Sequence, residues 1–383
     1  MKKINILGST GIIGKKSLNV IDKHFNKFKI NFILANNNYL TLSKQANLYN
    51  PNYVGIINTN YYKKLKELVS NKNIKIICGN DCFKILNNKV DSTIISISGI
   101  SSLKYIQPVI KGSKNIGIVN KESIVSAGKF INKLIKKYKV RMVPLDSEHY
   151  SIYTFLQNNF DKSKINKIYL TASGGPFLNH KNIFNKKISV KDALKHPTWK
   201  MGVKNTIDSA TMINKCLEII EAHYLFNLKY SKLDIIIHPE SLVHSVIKTT
   251  EGSFMANISN NDMSIPIYGF LNNDINQINK YNKLELDKIK RINFLKPDKN
   301  KFPALKIFDN LNKESLSEII IFNISNQIAV DLFIKNKIKF ADIVHFIKKS
   351  LNKFENFNLC NINDVIMYQD YIYSEINNKL NKI

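Results

Sequence analysis

The stretch INILGSTGIIGKKSL, residues 4–18, carries an apolar run from Ile4 to Leu7 that stops at Gly8 and is followed by Gly11 and Gly14. A short apolar run bounded by glycine reads as a strand, and the amphipathic stretch from Lys15 onward reads as a helix. Glycines between a strand and a helix permit a tight turn and let backbone amides approach a pyrophosphate at the helix N-terminus. The spacing is G-x-x-G-x-x-G, a variant of the dinucleotide-binding fingerprint. Glycine turns after strands are common, so the motif draws its weight from standing on the first strand of an alternating α/β unit.

That alternation continues outward from the loop. INFILA (30–35), YVGIIN (53–58), IKIICG (74–79), DSTIISIS (91–98), NIGIVN (115–120) and VRMVPLD (140–146) read as strands. KKSLNVIDKHF (15–25), YLTLSKQANLY (39–49), YYKKLKELVSN (61–71) and ESIVSAGKFINKLIKKY (122–138) read as helices between them. Strand and helix alternating at this pitch predict a doubly wound, Rossmann-like parallel sheet over residues 1–145. The second strand ends in Asn36, Asn37 and Asn38. An acid there would hold the adenosine ribose hydroxyls of NAD. Its absence disfavours NAD and mildly favours NADP.

Residues 146–271 have a different texture. INKIYLTAS (165–173), LDIIIHP (233–239), HSVIKTT (244–250) and GSFMANIS (252–259) read as strands around one long helix, SATMINKCLEIIEAHYLF (209–226). This predicts an α+β domain with a largely antiparallel or mixed sheet. Residues 272–297 are polar and rich in Asn and Lys, which reads as a connecting arm, and 298–383 have helical periodicity throughout.

The chain has 383 residues, 57 Lys and Arg against 29 Asp and Glu, and a formal net charge of +28. Such a field suits an anionic partner. The lysines are spread along the whole chain with no arginine-rich arm or nucleic-acid-binding motif, so the expectation is an anionic small molecule, with no specific nucleic acid as partner. Four cysteines do not make a disulfide framework. The N-terminal apolar run ends after four residues and no stretch is expected to reach the length of a membrane span, so neither secretion nor membrane insertion is expected, and the compartment is read as cytoplasmic.

With acids this scarce, Asp146 and Glu148 in VPLDSEHY (143–150) need an explanation. Two apart on an extended segment, they would face one side and converge on a divalent cation. Oxygen-only ligation indicates Mg²⁺ or Mn²⁺ rather than zinc. The alternative is a solvated strand end. On the long helix Asn214, Glu218 and Glu221 share a stripe at i, i+4 and i+7, with Lys215 beside it. TASGGPF (171–177) suits a turn presenting Ser173 and backbone amides to an anion. Trp199, the one tryptophan, lies in HPTWKMG (196–202) between His196 and Gly202, as a lid residue would. Asp208 and Ser209 read as capping residues for the helix that follows, and Ser209, Asn214 and Lys215 near its start read as a phosphate site.

GSTGIIG (8–14), NKES (120–123), DSEH (146–149), SGGPF (173–177), HPTWKMG (196–202), DSATMINKCLE (208–218) and IHPES (237–241) occur in the order found in 1-deoxy-D-xylulose 5-phosphate reductoisomerases, and the chain resembles that family. The resemblance is close to about Ser264 and looser beyond. It implies an NADPH- and divalent-metal-dependent enzyme (Mg²⁺, Mn²⁺ or Co²⁺) that turns a sugar phosphate, 1-deoxy-D-xylulose 5-phosphate, into 2-C-methyl-D-erythritol 4-phosphate. Carried over residue by residue, Asp146, Glu148 and Glu218 match metal ligands. Ser173, Ser209, Asn214 and Lys215 match the phosphate grip, with His196 close by. Lys121 and Ser147 match contacts to the reacting part of the substrate, and Trp199 the lid. Thr10, Gly11, Ile12, Ile13, Asn120, Lys121, Glu122 and Gly202 match NADPH contacts, beside Gly8, Gly14 and Asn36 to Asn38. The family form is a nucleotide domain (1–145), a catalytic domain that forms a homodimer (146–271), an arm (272–297) and a helical bundle (298–383). The chain departs from the family where Ile12 replaces a common Ser, Asn36 and Asn37 a Gly-Lys pair, and Cys216 a Gly. Glu240 and Gln327 depart likewise. A plain NAD(P)-dependent dehydrogenase without metal, and a basic binding protein on the same fold, are the rival readings.

Overall fold

The computed structural model describes residues 1–383 except 25, 159, 181–186, 273–279 and 381–383, and the backbone but not the side chains of 379 and 380. Most of the start of the expected arm, 273–279, therefore lies outside the described residues. The chain forms two compact units: Met1–Asn120, Ile131–Tyr150 and Asp262–Lys283 make the first, and Lys121–Phe130, Ser151–Asn261 and Leu284–Ile383 the second.

The first unit is built on strands β1 (Lys2–Leu7), β2 (Phe28–Ala35), β3 (Tyr53–Ile56), β4 (Lys75–Cys78), β5 (Val90–Ile95), β6 (Ser113–Ile118) and β7 (Arg141–Pro144). All pair in parallel, in the order β4-β3-β2-β1-β5-β6-β7. Near-continuous apolar runs such as Phe32 to Ala35 suit strands covered on both faces. Between the strands run α1 (Ile12–His24), α2 (Tyr39–Tyr49), α3 (Tyr62–Leu68), α4 (Asp81–Leu86), α5 (Leu103–Gly112) and the latter part of the long α6 (Lys121–Tyr138), whose start, Lys121–Phe130, belongs to the second unit. The doubly wound expectation holds. The strand order reverses between β1 and β5, which opens the crevice where such sheets take their ligands.

The glycine loop sits at that reversal. Gly8 has φ +79°, where a side chain is strained, and a Cβ on it would lie 2.8 Å from the Ser96 carbonyl oxygen. A Cβ on Gly14 would come within 2.3 Å of the Gly8 oxygen. The loop and the start of α1 thus touch backbone to backbone.

After α7 (Ser147–Gln157), the second unit contributes β8 (Ile165–Ala172), α8 (Val190–Ala193), α9 (Val203–Thr211), α10 (Ile213–Phe226), β9 (Leu233–Ile237), β10 (Val243–Thr249) and β11 (Phe254–Ile258). Its sheet runs β11-β10-β8-β9, with β8 and β9 parallel and the other pairs antiparallel. This is the mixed sheet expected. α11 (Ser264–Asn272) returns to the first unit, and α12 (Ala304–Asn310), α13 (Leu316–Ile334), α14 (Asp342–Leu351) and α15 (Ile362–Leu380) complete the second. One apolar core joins sheet and helices there, including Ile168, Leu217, Ile220, Phe302, Phe322 and Ile347.

Two expectations are corrected. The long helix at 209–226 is two helices, broken at Met212, which is left-handed at φ 67°. Thr211 causes the break locally: its hydroxyl donates to the carbonyls of Ile207 and Asp208, competing with the helix backbone. A left-handed Met costs about 1–2 kcal/mol, which its burial in the core offsets. The second correction concerns length: α13, at 19 residues and mean hydropathy 1.3, is long and apolar enough to cross a membrane. It is a core helix instead, with 78% of that apolar window buried.

Gly14→Ala is expected to destabilise the first unit by about 2 kcal/mol or more through its clash with fixed backbone, lowering the Tm by several degrees. Gly202→Ala, whose added Cβ meets nothing within 4 Å, is the control: it loses only the preference for glycine over alanine at the N-cap of α9 and should lower the Tm less. Differential scanning calorimetry of both variants checks the contrast.

Candidate active site

In the first unit β7 ends at Pro144 and α7 begins at Ser147. Asp146 Oδ1 accepts from the backbone N–H of Glu148 at 3.2 Å and of His149 at 3.4 Å, so Asp146 is the N-cap of α7. This corrects the extended-segment reading: Ser147 and Glu148 occupy the first helical turn. Asp-Ser-Glu before an apolar-periodic stretch is a helix start, and the preceding strand masked it. Asp146 Oδ1 also meets His149 Nδ1 at 3.0 Å, with His149 sealed from solvent. The Ser147 hydroxyl donates to Glu148 Oε2.

The nucleotide loop of the same unit leaves Gly11 and Ile12 exposed and Thr10 and Ile13 half-buried. Below it the Ser9 hydroxyl donates to Gln45 Oε1 at 2.8 Å, and Gln45 Nε2 returns a bond to the Ser9 carbonyl. Asn36, Asn37 and Asn38 are exposed at the end of β2. Asn38 caps α2 by accepting from Thr41 N–H at 3.0 Å, and Asn37 Oδ1 accepts from Asn58 Nδ2 at 2.9 Å. Asn120 is buried; its Oδ1 accepts from the Ser102 hydroxyl at 2.6 Å and its Nδ2 donates to the Gly99 carbonyl.

The second unit gathers most of the other predicted residues. Lys121, first residue of α6, reaches α10: its Nζ lies 2.8 Å from Asn214 Oδ1 and 3.0 Å from Glu218 Oε1. Lys215 Nζ donates to Glu218 Oε2 at 2.6 Å, and Asn214 Nδ2 donates to Oε1. Glu218 is 1% exposed. A carboxylate so buried needs opposite charge and full hydrogen bonding, and here two ammoniums and an amide serve it. Glu221, one turn on, is also sealed.

A second cluster surrounds His196. Its Nε2 lies 3.0 Å from the Ser173 hydroxyl and 3.1 Å from that of Ser209. Its Nδ1 accepts from the backbone N–H groups of Trp199 at 2.9 Å and Thr198 at 3.3 Å. The ring proton of the neutral form therefore sits on Nε2, facing the serines. Burial, and then the Lys215 ammonium, push this imidazole down to about 4, so it is neutral at pH 7. The Ser-Gly-Gly turn forms as expected, with Gly174 at φ +83° and Gly175 at φ +66°; a Cβ on Gly175 would lie 2.8 Å from the Ser209 carbonyl oxygen. Trp199 is half-buried, its ring 6.0 Å from that of His244, and the Thr198 and Ser241 hydroxyls are 3.2 Å apart. Gly202 starts α9.

The capping expectation for Asp208 and Ser209 is corrected. Both lie inside α9, Ser209 turned to His196 and Asp208 to Lys204. Lys204 and Asp208, four apart on a helix, were the available signal for that pair. Glu122 is 3% exposed, with its carboxylate 3.1 Å from Lys204 Nζ. Burial alone would raise the Glu122 carboxyl, but Lys204 overrides this and holds it below its usual range.

Three family models match: 1-deoxy-D-xylulose 5-phosphate reductoisomerase over residues 4–128, its C-terminal domain over 142–226, and the DXP reductoisomerase C-terminal domain over 258–373. A 1-deoxy-D-xylulose 5-phosphate reductoisomerase of Pelagibacter ubique is 41% identical, covering 98% of this chain and 99% of its own. That of Clostridium kluyveri is 39% identical over 100% of both chains. Among solved structures, DOX-P reductoisomerase in complex with NADPH, fosmidomycin and magnesium is 30% identical at TM-score 0.90, covering 100% of this chain and 98% of its own. The Zymomonas mobilis enzyme in complex with NADPH is 30% identical at TM-score 0.86, covering 97% of each chain. On the agreement of these full-length matches with the motifs and fold described above, the chain belongs to the 1-deoxy-D-xylulose 5-phosphate reductoisomerase family.

Proposed function

We infer that this chain converts 1-deoxy-D-xylulose 5-phosphate into 2-C-methyl-D-erythritol 4-phosphate, as an NADPH- and divalent-metal-dependent reductoisomerase of the non-mevalonate route to isoprenoids. Full-length relatives of that name and solved relatives holding NADPH and magnesium support the reading. The single observation that carries it is the buried carboxylate of Glu218 between Lys121 and Lys215, which sets a cation-binding oxygen beside two ammoniums suited to an anionic sugar.

The residues fit both absent groups. Asp146, Glu148 and Glu218 are the proposed ligands, since carboxylate oxygens alone suit a hard dication such as Mg²⁺ or Mn²⁺. The bare glycine loop at the β1/β5 reversal fits a pyrophosphate, and Asn36 to Asn38 put no carboxylate where a 2′-phosphate would lie. When bound, the dication supplies Lewis-acid stabilisation to neighbouring sugar oxygens, and NADPH supplies the hydride.

This chain's own side chains bind and orient. Ser173, Ser209, Asn214 and Lys215 grip the phosphate, with neutral His196 sharing its Nε2 proton with the two serines. Binding energy from the phosphate, remote from the reacting carbons, serves to draw Trp199 over the sugar and exclude water. Lys121 donates to the oxygens at the reacting centre, and Ser147 orients them. Gly8, Thr10, Gly11, Ile12, Ile13, Gly14, Asn120 and Gly202 line the cofactor. Glu122 meets the cofactor through its backbone, since its carboxylate is engaged by Lys204. Residues 1–145 serve as the NADPH domain, 146–271 as the catalytic and dimer-forming domain, 272–297 as the arm and 298–383 as the helical domain. The enzyme works as a cytoplasmic homodimer, with neither nucleic acid nor membrane as partner.

NADPH absorbance at 340 nm should fall with substrate and Mg²⁺ or Mn²⁺, stop on adding EDTA, and resume with excess metal; EDTA-resistant turnover would return the chain to the plain dehydrogenases. Changes around a metal site that spare its ligands cost 10–100-fold, so Glu148→Gln, which alters a ligand, should lower kcat by more than about 100-fold while NADPH affinity stays intact. Equal loss of both would make Glu148 a folding residue. Lys215→Ala removes a charge-assisted bond and should raise the substrate KM by about 10–100-fold. Because the folded His196 pKa lies below the free value of 6.5, the folded state loses stability as pH falls from 6.5 towards 4. His196→Asn should shrink that loss in urea unfolding across this window.

A further inference from the structure

A second buried polar network lies in the same unit, and the chemistry above leaves most of it without a role. Lys204 Nζ is 3.1 Å from Glu122 Oε1 and 2.5 Å from Asp208 Oδ2. Asn326 Nδ2, from α13, donates to Asp208 Oδ1 at 2.9 Å. Asn323 Nδ2, one turn earlier, donates to the Ser126 hydroxyl at 2.9 Å and to the Glu122 carbonyl at 3.3 Å. Glu122, Asp208, Asn323 and Asn326 are at most 3% exposed, and the Lys204 side chain 11%.

Two carboxylates held by one ammonium are an expensive way to stabilise a core, since apolar side chains of the same volume would serve as well or better. What such a network enforces is geometry. Its carboxylates belong to the immediate chain neighbours of functional residues: Glu122 follows Lys121, and Asp208 precedes Ser209. Lys204 therefore ties the start of α6, which aims Lys121 at Glu218, to the last turn of α9, which aims Ser209 at His196. The two asparagines brace the ends separately, Asn323 the α6 end and Asn326 the α9 end, from the core helix α13.

We propose that Lys204, Asn323 and Asn326 are positioning residues that hold Lys121 and Ser209 in mutual register, so that the C-terminal helix α13 governs the site without touching substrate. The proposal rests on the reaction assigned above. Misplacement of a bound group by about 1 Å can cost on the order of 100-fold, so partial loosening should cost about tenfold.

The near-isosteric pair Asn326→Leu and Asn323→Leu tests it, with the metal-loaded full-length enzyme, 1-deoxy-D-xylulose 5-phosphate and NADPH. Asn326→Leu loosens the Ser209 end and should raise the sugar-phosphate KM about tenfold with kcat little changed. Asn323→Leu loosens the Lys121 end and should lower kcat about tenfold with KM little changed. Fluorescence of Trp199, the one tryptophan, titrated with the sugar phosphate without NADPH, should weaken for Asn326→Leu alone. Lys204→Met should show both defects and Lys204→Arg should restore part of each; if Lys204→Met does not fold, the asparagine variants decide. Lowered melting temperatures with kcat, KM and the Trp199 titration within about twofold of the parent would make the network mere scaffold and overturn the proposal. Failure of the unaltered enzyme to oxidise NADPH would instead remove the assigned reaction, and the Trp199 titration would still judge the network.

Discussion

A carboxylate cannot be closed into a protein as a bare charge, and Glu218 is closed in almost completely. Lys121, Asn214 and Lys215 resolve that cost together. Three of these four residues come from one face of α10, and the fourth arrives from α6, far away in sequence. The requirement to neutralise one buried acid therefore constrains where α6 begins, how α10 is rotated, and which side chains converge on that carboxylate. The His196 cluster obeys the complementary rule: an imidazole buried next to a lysine stays uncharged, and so offers hydroxyl-linked hydrogen bonding without adding to the positive field.

Much of this was legible in the sequence because it is written in local pattern. Seven strands of the first sheet were readable from apolar runs such as Ile4 to Leu7 and Phe32 to Ala35, while their order, with its reversal between β1 and β5, came only with the fold. The short helices α4 and α5 were not readable: six residues give no periodicity, and Pro108 inside α5 imitates a breaker. The break at Met212 was hidden because nothing in a methionine announces a left-handed backbone; the Thr211 hydroxyl competes locally, and the burial that holds Met212 there is a tertiary fact.

The site residues divide along the same line. Ser173, His196, Ser209, Asn214 and Lys215 carry recognisable chemistry at recognisable spacing, and each engages another residue of that set or Glu218. Asp146 was read on the wrong backbone, since a helix cap and a strand end use the same residue type. Lys204, Asp208, Asn323 and Asn326 were invisible as a group, because 118 positions separate Asp208 from Asn326 and only the packing of α9 against α13 joins them.

The burial of the core helix α13 bears on how the chain acquires its structure during synthesis. The core of the second unit draws on residues from Val125 to Ile347, so a nascent chain that has emerged only as far as β11 lacks the helices that fill it. Until the ribosome has delivered the last quarter of the polypeptide, the apolar surfaces of α9 and α10 that α13 and α12 cover stay wet. Once released, α13 must find them before it finds a neighbouring chain. The first unit also completes late, since it reclaims 262–283 after an excursion of more than a hundred residues. Maturation is thus gated by the arrival of the carboxyl-terminal segment, and truncation there would leave a sticky, unfinished globule rather than a shorter enzyme.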